Sequence, residues 1–501
     1  MNIKDSQYYL QLGNNFYKQG NYIEACNAYQ RAVEIDPKNV DAYNGWGDAL
    51  SYLGRYEESV AKYQNVLEID PKNADAYNKW GLTLDDQGRH DESIEKFRKA
   101  LEIDPKFVHA HNNWGIVLDK LERYAEAIEK YQKALEIDSK YANAYINWGN
   151  ALADLGKYNE SIEKYQKAVN IDPENADAYN KWGGAIYNLG RYDESIEKYQ
   201  KSIEIDPQYV DAYLDWGNAL ICLEKFEESI VKYQKAVEID PENVDTYIFW
   251  GMALTCLKKY EEAIDKHRKA TEIDPENVVA YNYWGLALFE LGKYEEAIEK
   301  FQKVLEIDPQ YVDAYVNLGN ALAYKGNYKE SIATFRKAVE IDPENVEAYI
   351  NWGDTLVSYE KNEEAIEKFK KVLEIDPQYV DAYLVWGNAL ANLKRYDESI
   401  EKYQKALEID PEIIAAYNNW GAVLADLGRS FEAIEKYRKA LDIDPKYILS
   451  YNNWGDVLVK IGQHEEAIEK YQKAIEIDPN DTTAYRKMYK VLSSLKRPKK
   501  T

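Results

Sequence analysis

The sequence is poor in the residues that usually carry chemistry. Three cysteines and five histidines are spread over 501 residues. Cys222 and Cys256 fall at equivalent places in adjacent repeats, and equivalent helices of neighbouring hairpins lie about 8–10 Å apart. A disulfide needs Cα atoms within about 7 Å, so Cys26, Cys222 and Cys256 read as free thiols of a reducing compartment, small and at least half buried. His109 and His111 diverge on a helix and read as surface residues. His267 reads as core. No nucleophile, phosphate loop or metal-ligand cluster emerges, so no enzyme, no cofactor and no metal are expected. Positive charge is also scarce: 63 basic residues face 88 acidic ones, a net charge of −25. Such a chain is a poor match for phosphate backbones, so no nucleic-acid partner is expected. No apolar run approaches the roughly 18 residues of a membrane span, and MNIKDSQYYL does not read as a signal peptide. The expectation is no membrane insertion and a cytoplasmic location.

What the chain does have is a period. Trp46-Gly47, Trp80-Gly81, Trp114-Gly115, Trp148-Gly149 and Trp182-Gly183 are 34 residues apart, and the pair returns as far as Trp454-Gly455. Prolines keep the same beat from Pro37 to Pro479. A fixed period of this length marks a stacked repeat array. In residues 176–209 the pattern predicts a first helix from about Ala176 to Leu189, with Ala178, Trp182, Ala185, Ile186 and Leu189 on one face. Gly190 supplies the left-handed stop. A second helix runs from about Asp193 to Ile205, with Ile196, Tyr199 and Ile203 inward, and Asp206-Pro207 ends it. Gly183 in mid-helix costs roughly 0.5–1 kcal/mol relative to alanine, which implies close approach of the second helix. Trp182 is expected to fill the space between neighbouring hairpins.

These residues resemble the tetratricopeptide repeat. In 40–73 the matching positions are Ala42, Gly47, Gly54, Tyr56, Tyr63 and Pro71. Tyr43 stands at the family's Trp position, Trp46 at its Leu, and Ser59 at its Ala. The resemblance implies an all-α, right-handed superhelix (an α-solenoid) of stacked antiparallel helix pairs. It divides the chain into a lead (1–5), fourteen 34-residue repeats (6–481), a capping helix (482–497) and a basic tail (498–501). Within the first repeat, Tyr8, Tyr9, Phe16 and Tyr17 form an aromatic end that an upstream element or a partner would cover, self-association being one such route. In 346–379, Glu360-Lys361-Asn362 replaces Gly-x-Tyr, and a looser turn is expected there. Linkers ending in Asn39, Asn73 or Asn175 place an N-cap. Linkers ending in tyrosine are followed nine residues on by Asn150, Asn218, Asn320 or Asn388. The second helices carry Glu95 with Lys99, Glu129 with Lys133 and Glu163 with Lys167, a solvated outer lattice.

The family further implies a groove lined by the second, fifth, sixth and ninth residues of each first helix. Its expected peptide-binding residues are Asn44 and Asn78 at the fifth position, and Lys79, Asn113, Asn147, Lys181, Asn317, Asn351, Asn419 and Asn453 at the sixth. An amide offers one acceptor and two donors, so such a row suits the backbone of an extended peptide. It resembles the asparagine-lined arm of the O-linked N-acetylglucosamine transferase, without the transferase domain. An apolar patch is expected from Leu214, Ile248, Phe249, Met252, Tyr283, Leu286 and Phe289. Acidic second positions such as Asp41, Asp75 and Asp381 favour a neutral or basic guest. The reading is a non-catalytic scaffold for extended protein segments. One alternative is an arm or subunit recruiting substrates to a separate enzyme. A co-chaperone clamp for C-terminal peptides fits less well, since only Lys79 and Lys181 match its lysines.

Overall fold

The structure, a computed structural model, describes residues 3–495. The basic tail expected at 498–501 lies outside the described residues. Among those described there are 29 helices and no strand. The chain divides into two compact units, Met1–Ala253 and Leu254–Thr501. In both, consecutive helices pack against each other. The first helix starts at Ile3 rather than after a polar lead. Ser6, within that helix, is fully buried and donates to the Ala32 carbonyl at 2.9 Å.

The helix bounds follow from local chemistry. In the repeat of residues 40–73, Asn39 accepts from the Ala42 amide at 3.0 Å and caps Val40–Tyr52. Asn73, Asn175, Asn277 and Asn345 cap in the same way. Gly54, at φ 71°, makes the turn into Tyr56–Ile69. That helix stops at Asp70, whose backbone is extended ahead of Pro71. The turn expected to be looser is not. Glu360 takes the same left-handed conformation at φ 60°, and the Lys361 amide reaches the Leu356 carbonyl at 2.8 Å. The hairpin bonds hold the residue there at the expense of a side-chain clash that glycine would not have.

Each hairpin closes on one contact. A methyl group on Gly47 would lie 2.6 Å from the Tyr63 ring, and the same is true at Gly183 against Tyr199. Tyr63 is 1 % exposed. It is therefore an aromatic ring of the second helix that fills the place of the missing side chain. Ala42, Ala49 and Val66 complete the seal with no exposed surface. In the second helix Tyr199 is buried as expected, but its buried neighbours are Ser195 and Ser202, while Ile196 and Ile203 are half-buried. Tryptophan packs between hairpins as expected, Trp148 lying against the cluster of Leu118 and Tyr131 from the repeat before it, and several of these rings also carry a cation. Trp46, Trp80, Trp114 and Trp216 each carry a lysine of their own second helix over the ring, Lys62, Lys96, Lys130 and Lys232, at 3.5–4.0 Å. Burial holds the Lys96, Lys130 and Lys232 ammonium groups below their ordinary pKa. These lysines cover apolar rings. The outer ion pairs are mainly i,i+3, as in Arg55–Glu58 and Arg89–Glu92 at 2.7 Å, and Glu95–Lys99 is long at 4.0 Å.

Candidate binding face

The asparagines expected to grip a ligand mostly bond to one another. Asn113 donates to Asn78 at 3.1 Å and Asn147 to Asn112 at 3.0 Å. In the second unit, Asn317 donates to Asn282 at 3.0 Å and Asn453 to Asn418 at 3.1 Å. The rule is that a sixth-position amide donates to the fifth-position amide of the repeat before it. Where that fifth residue is Leu384, Asn419 turns instead to Asn388 at 3.0 Å. Fifth-position amides are buried because the next repeat covers them: Asn44 is 8 % exposed and Asn78 5 %. Both line cavities in the first unit, of about 340 and 600 Å³ respectively. The ladder thus joins repeats, and removing one member strands a buried partner at roughly 1–3 kcal/mol.

The lysines are engaged too. Lys79 Nζ donates to Asp48 at 2.7 Å and lies 3.5 Å from Asp75. Burial pulls its pKa down, but the two carboxylates more than offset this and leave it above the ordinary value. Lys181 lies 3.9 Å from Asp177. The apolar patch is not an exposed one. Ile248 is buried at 3 %, while Leu214, Phe249 and Met252 are half-buried. In the second unit Tyr283 stacks on His267, and Leu286 and Phe289 pack against the cluster around Leu288 and Phe301. Packing has covered part of each of these side chains, and only Ile248 is buried outright.

His267 is core as expected. It has no exposed surface, and burial pushes its pKa down to about 3. His109 is exposed, but His111 is buried and lies 3.2 Å from the Pro105 carbonyl, so only one of the pair is a surface residue. The cysteines are free; Cys26 is buried, whereas Cys222 and Cys256 are exposed rather than tucked in. Among the described residues no three His, Cys, Asp or Glu side chains group as a metal site, and no helix is long and apolar enough to cross a membrane.

The ninth position, expected to line the groove and tied in the sequence to linker type, has its own rule. It accepts from the phenol of the second helix. Tyr165, Tyr233 and Tyr403 donate to Asn150, Asn218 and Asn388 at 2.7–2.8 Å. Tyr63 donates to Asp48 at 2.8 Å and Tyr471 to Asp456 at 2.9 Å. In 312–345 and 346–379 the second-helix ring is Phe335 or Phe369, which has no hydroxyl to give. Asn320 and Asp354 are left open. Asn351 is open as well, because the fifth residue before it is Val316. These three line a cavity of about 410 Å³ with Tyr324, Thr355 and Ser358. Burial, and after it the Asp381 charge, raise the Asp354 carboxyl to about 6, although it still reaches solvent.

Paired helices joined by interlocked amides define a helical-repeat scaffold. The chain belongs to the tetratricopeptide repeat family. The TPR repeat model matches successive stretches from 13–51 and 47–86 on to 353–394 and 387–428, and a second tetratricopeptide repeat model matches 412–480. Such repeats typically form non-catalytic scaffolds for protein–protein contacts. No curated protein matches the chain. Among solved structures, the APC/C hetero-tetramer Cut9–Hcn1 is similar over 97% of this chain and 96% of that one, at 17% identity and a TM-score of 0.50. At that identity the likeness is one of fold. Naa15/Naa10 bound to HypK-THB matches at 13% identity and a TM-score of 0.35, over 98% of this chain and 96% of that one. YrrB, a TPR protein with an unusual peptide-binding site, matches at 27% identity and a TM-score of 0.31, over 37% of this chain and 96% of that one.

Proposed function

We propose that this chain is a non-catalytic scaffold that binds an extended polypeptide segment, neutral or basic, along the face lined by the first helices of its repeats. The observation that carries this reading is the pair of unpartnered amides, Asn320 and Asn351, held in the 410 Å³ cavity of the second unit. Elsewhere a sixth-position asparagine is taken by an amide of the repeat before it, and a ninth-position asparagine by the tyrosine of its own repeat. An open amide at the cavity wall has donors and an acceptor to offer a peptide backbone. Acidic residues around it, Asp354 and Asp381, favour a basic guest.

The test is a lysate pull-down with cross-linking mass spectrometry, comparing the natural chain with an Asn320→Ala, Asn351→Ala double variant. Neither change breaks a hydrogen bond among the described residues, so folding is retained. The expected result is a partner segment cross-linked to Val312–Tyr324 and Val346–Ser358 and lost from the variant. Cross-links confined to the second helices, unchanged in the variant, would move the function to the other face.

A further inference from the structure

Three repeats place aspartate at the ninth position: Asp48, Asp354 and Asp456. Two of them show what such a carboxylate takes. Asp48 accepts from the Tyr63 hydroxyl on Oδ1 at 2.8 Å and from the Lys79 ammonium on Oδ2 at 2.7 Å. Asp456 accepts from the Tyr471 hydroxyl on Oδ1 at 2.9 Å and from the Lys487 ammonium on Oδ2 at 2.7 Å. In each case the tyrosine stands fifteen residues on, in the second helix of the same repeat, and the lysine thirty-one residues on, in the helix that follows: the next repeat's first helix for Lys79, the capping helix for Lys487.

At Asp354 both donors are gone. Fifteen residues on stands Phe369, fully buried, and thirty-one residues on stands Val385, packed into the apolar cluster around Trp352 and Leu356. Among the described residues no ion pair or hydrogen bond replaces them, and the neighbouring charge it feels is the like charge of Asp381. The carboxylate instead faces the 410 Å³ cavity that Asn320, Asn351 and Ser358 also line. One wall of that cavity is Tyr324, 69 % exposed, its ring set against Tyr294 and edge-on to Phe289. An aromatic wall suits the methylene stem and the cation of a lysine.

We infer that Asp354 is the receptor for a lysine side chain of the bound segment, which supplies in trans the ammonium that Lys79 and Lys487 supply in cis. Asn320 and Asn351 hold the segment's backbone on either side of that lysine. This deepens the proposed function and rests on it. It also gives the scaffold a register, since a single lysine fixes where the segment sits.

The experiment uses the full chain at low salt and three probes. One is a capped, fluorescent heptapeptide of alanines with a central lysine and a flanking photo-cross-linker. The second replaces that lysine by norleucine, and the third is cadaverine as competitor. The lysine peptide is expected to cross-link to Val346–Ser358 and to bind at least tenfold tighter than the norleucine peptide. Asp354→Asn should remove that preference, and the variant will fold because no described residue bonds to the carboxylate. Equal binding of the two peptides at this face, or full retention of the lysine preference in Asp354→Asn, would overturn the assignment and leave the peptide-binding face standing. Absence of cross-links to any first helix would overturn both. Cadaverine matching the lysine peptide in affinity would overturn the polypeptide guest in favour of a small amine.

Discussion

Repeats 40–73 and 346–379 have the same backbone plan and opposite polar chemistry. In the first, Asp48 is saturated by Tyr63 and Lys79. In the second, Phe369 and Val385 stand where those two donors would be, and the Asp354 carboxyl lines the 410 Å³ cavity. The turn differs too, glycine in one and glutamate in the other, with the same left-handed φ. A repeat array can therefore hold its fold with a few packing contacts and change its chemistry at positions that those contacts do not use. The exception is the more informative of the two, because the regular repeats show what it lacks.

The largest effect should come from what the two repeats share. Gly47→Ala would put a methyl 2.6 Å from the Tyr63 ring, and Gly353→Ala one 2.2 Å from Phe369. Each should cost about 1–3 kcal/mol as overpacking, read as lost hydrogen-exchange protection in that hairpin, since arrays open locally. A silent Gly353→Ala would mean that the ring of the second helix does not set the hairpin's spacing.

Lys79→Met should come next. It leaves Asp48 half-buried beside Tyr63 without its cation, at a cost of about 1–2 kcal/mol. The site should then resemble the open one, and exchange protection of Val40–Tyr52 should fall while that of Val346–Ser358 is unchanged. Exchanging the turn residues should have a smaller, reciprocal effect. Glu360→Gly should stabilise its hairpin by about 1 kcal/mol and Gly54→Glu should destabilise its own by a similar amount. Equal stability of the two would show that the turn carries no strain.

The same substitution should act with opposite sign at the two carboxylates. Asp48→Asn loses the pairing with Lys79 and should lower the thermal midpoint at pH 7.5. Asp354→Asn should raise it. The Asp354 carboxyl is raised by burial and by Asp381 to about 6 in the fold, against about 3.9 in an unfolded chain. Its contribution is thus fully present below about pH 4 and is lost as pH rises through about 6. The gain from Asp354→Asn should therefore be seen at pH 7.5 and vanish at pH 4. A gain that persists at pH 4 would show that the charge is not its cause.

Much of this was legible in the sequence. The period gave the helix pairs, Asn39, Asn73 and Asn175 gave their caps, and Gly183 pointed to a close approach. The asparagine row was legible as a row but not as a ladder. Whether Asn113 faces a ligand or Asn78 depends on the residue thirty-five positions earlier, across a repeat boundary. The apolar patch is largely half-buried for a similar reason: Leu286 looks outward in a single helix but packs in the cluster that includes Leu318 and Leu322 of the next repeat. The open carboxylate was within reach of the sequence. Its signal is Phe369 and Val385, read against Tyr63 and Lys79, and it appears only once the partners of the regular repeats are known.

The most direct test returns a cation to the open site from within the chain. Val385→Lys places an ammonium at the position that serves Asp48 and Asp456, and Val385→Met matches its length without charge. At low salt the lysine variant should be more stable than the methionine variant, by on the order of 0.5 kcal/mol. The difference should disappear in an Asp354→Asn background, as a double-mutant cycle requires. The lysine variant should also lose the lysine peptide. Equal stability of the two variants with Asp354 intact, or undiminished peptide binding by Val385→Lys, would contradict the claim that Asp354 stands open for an ammonium.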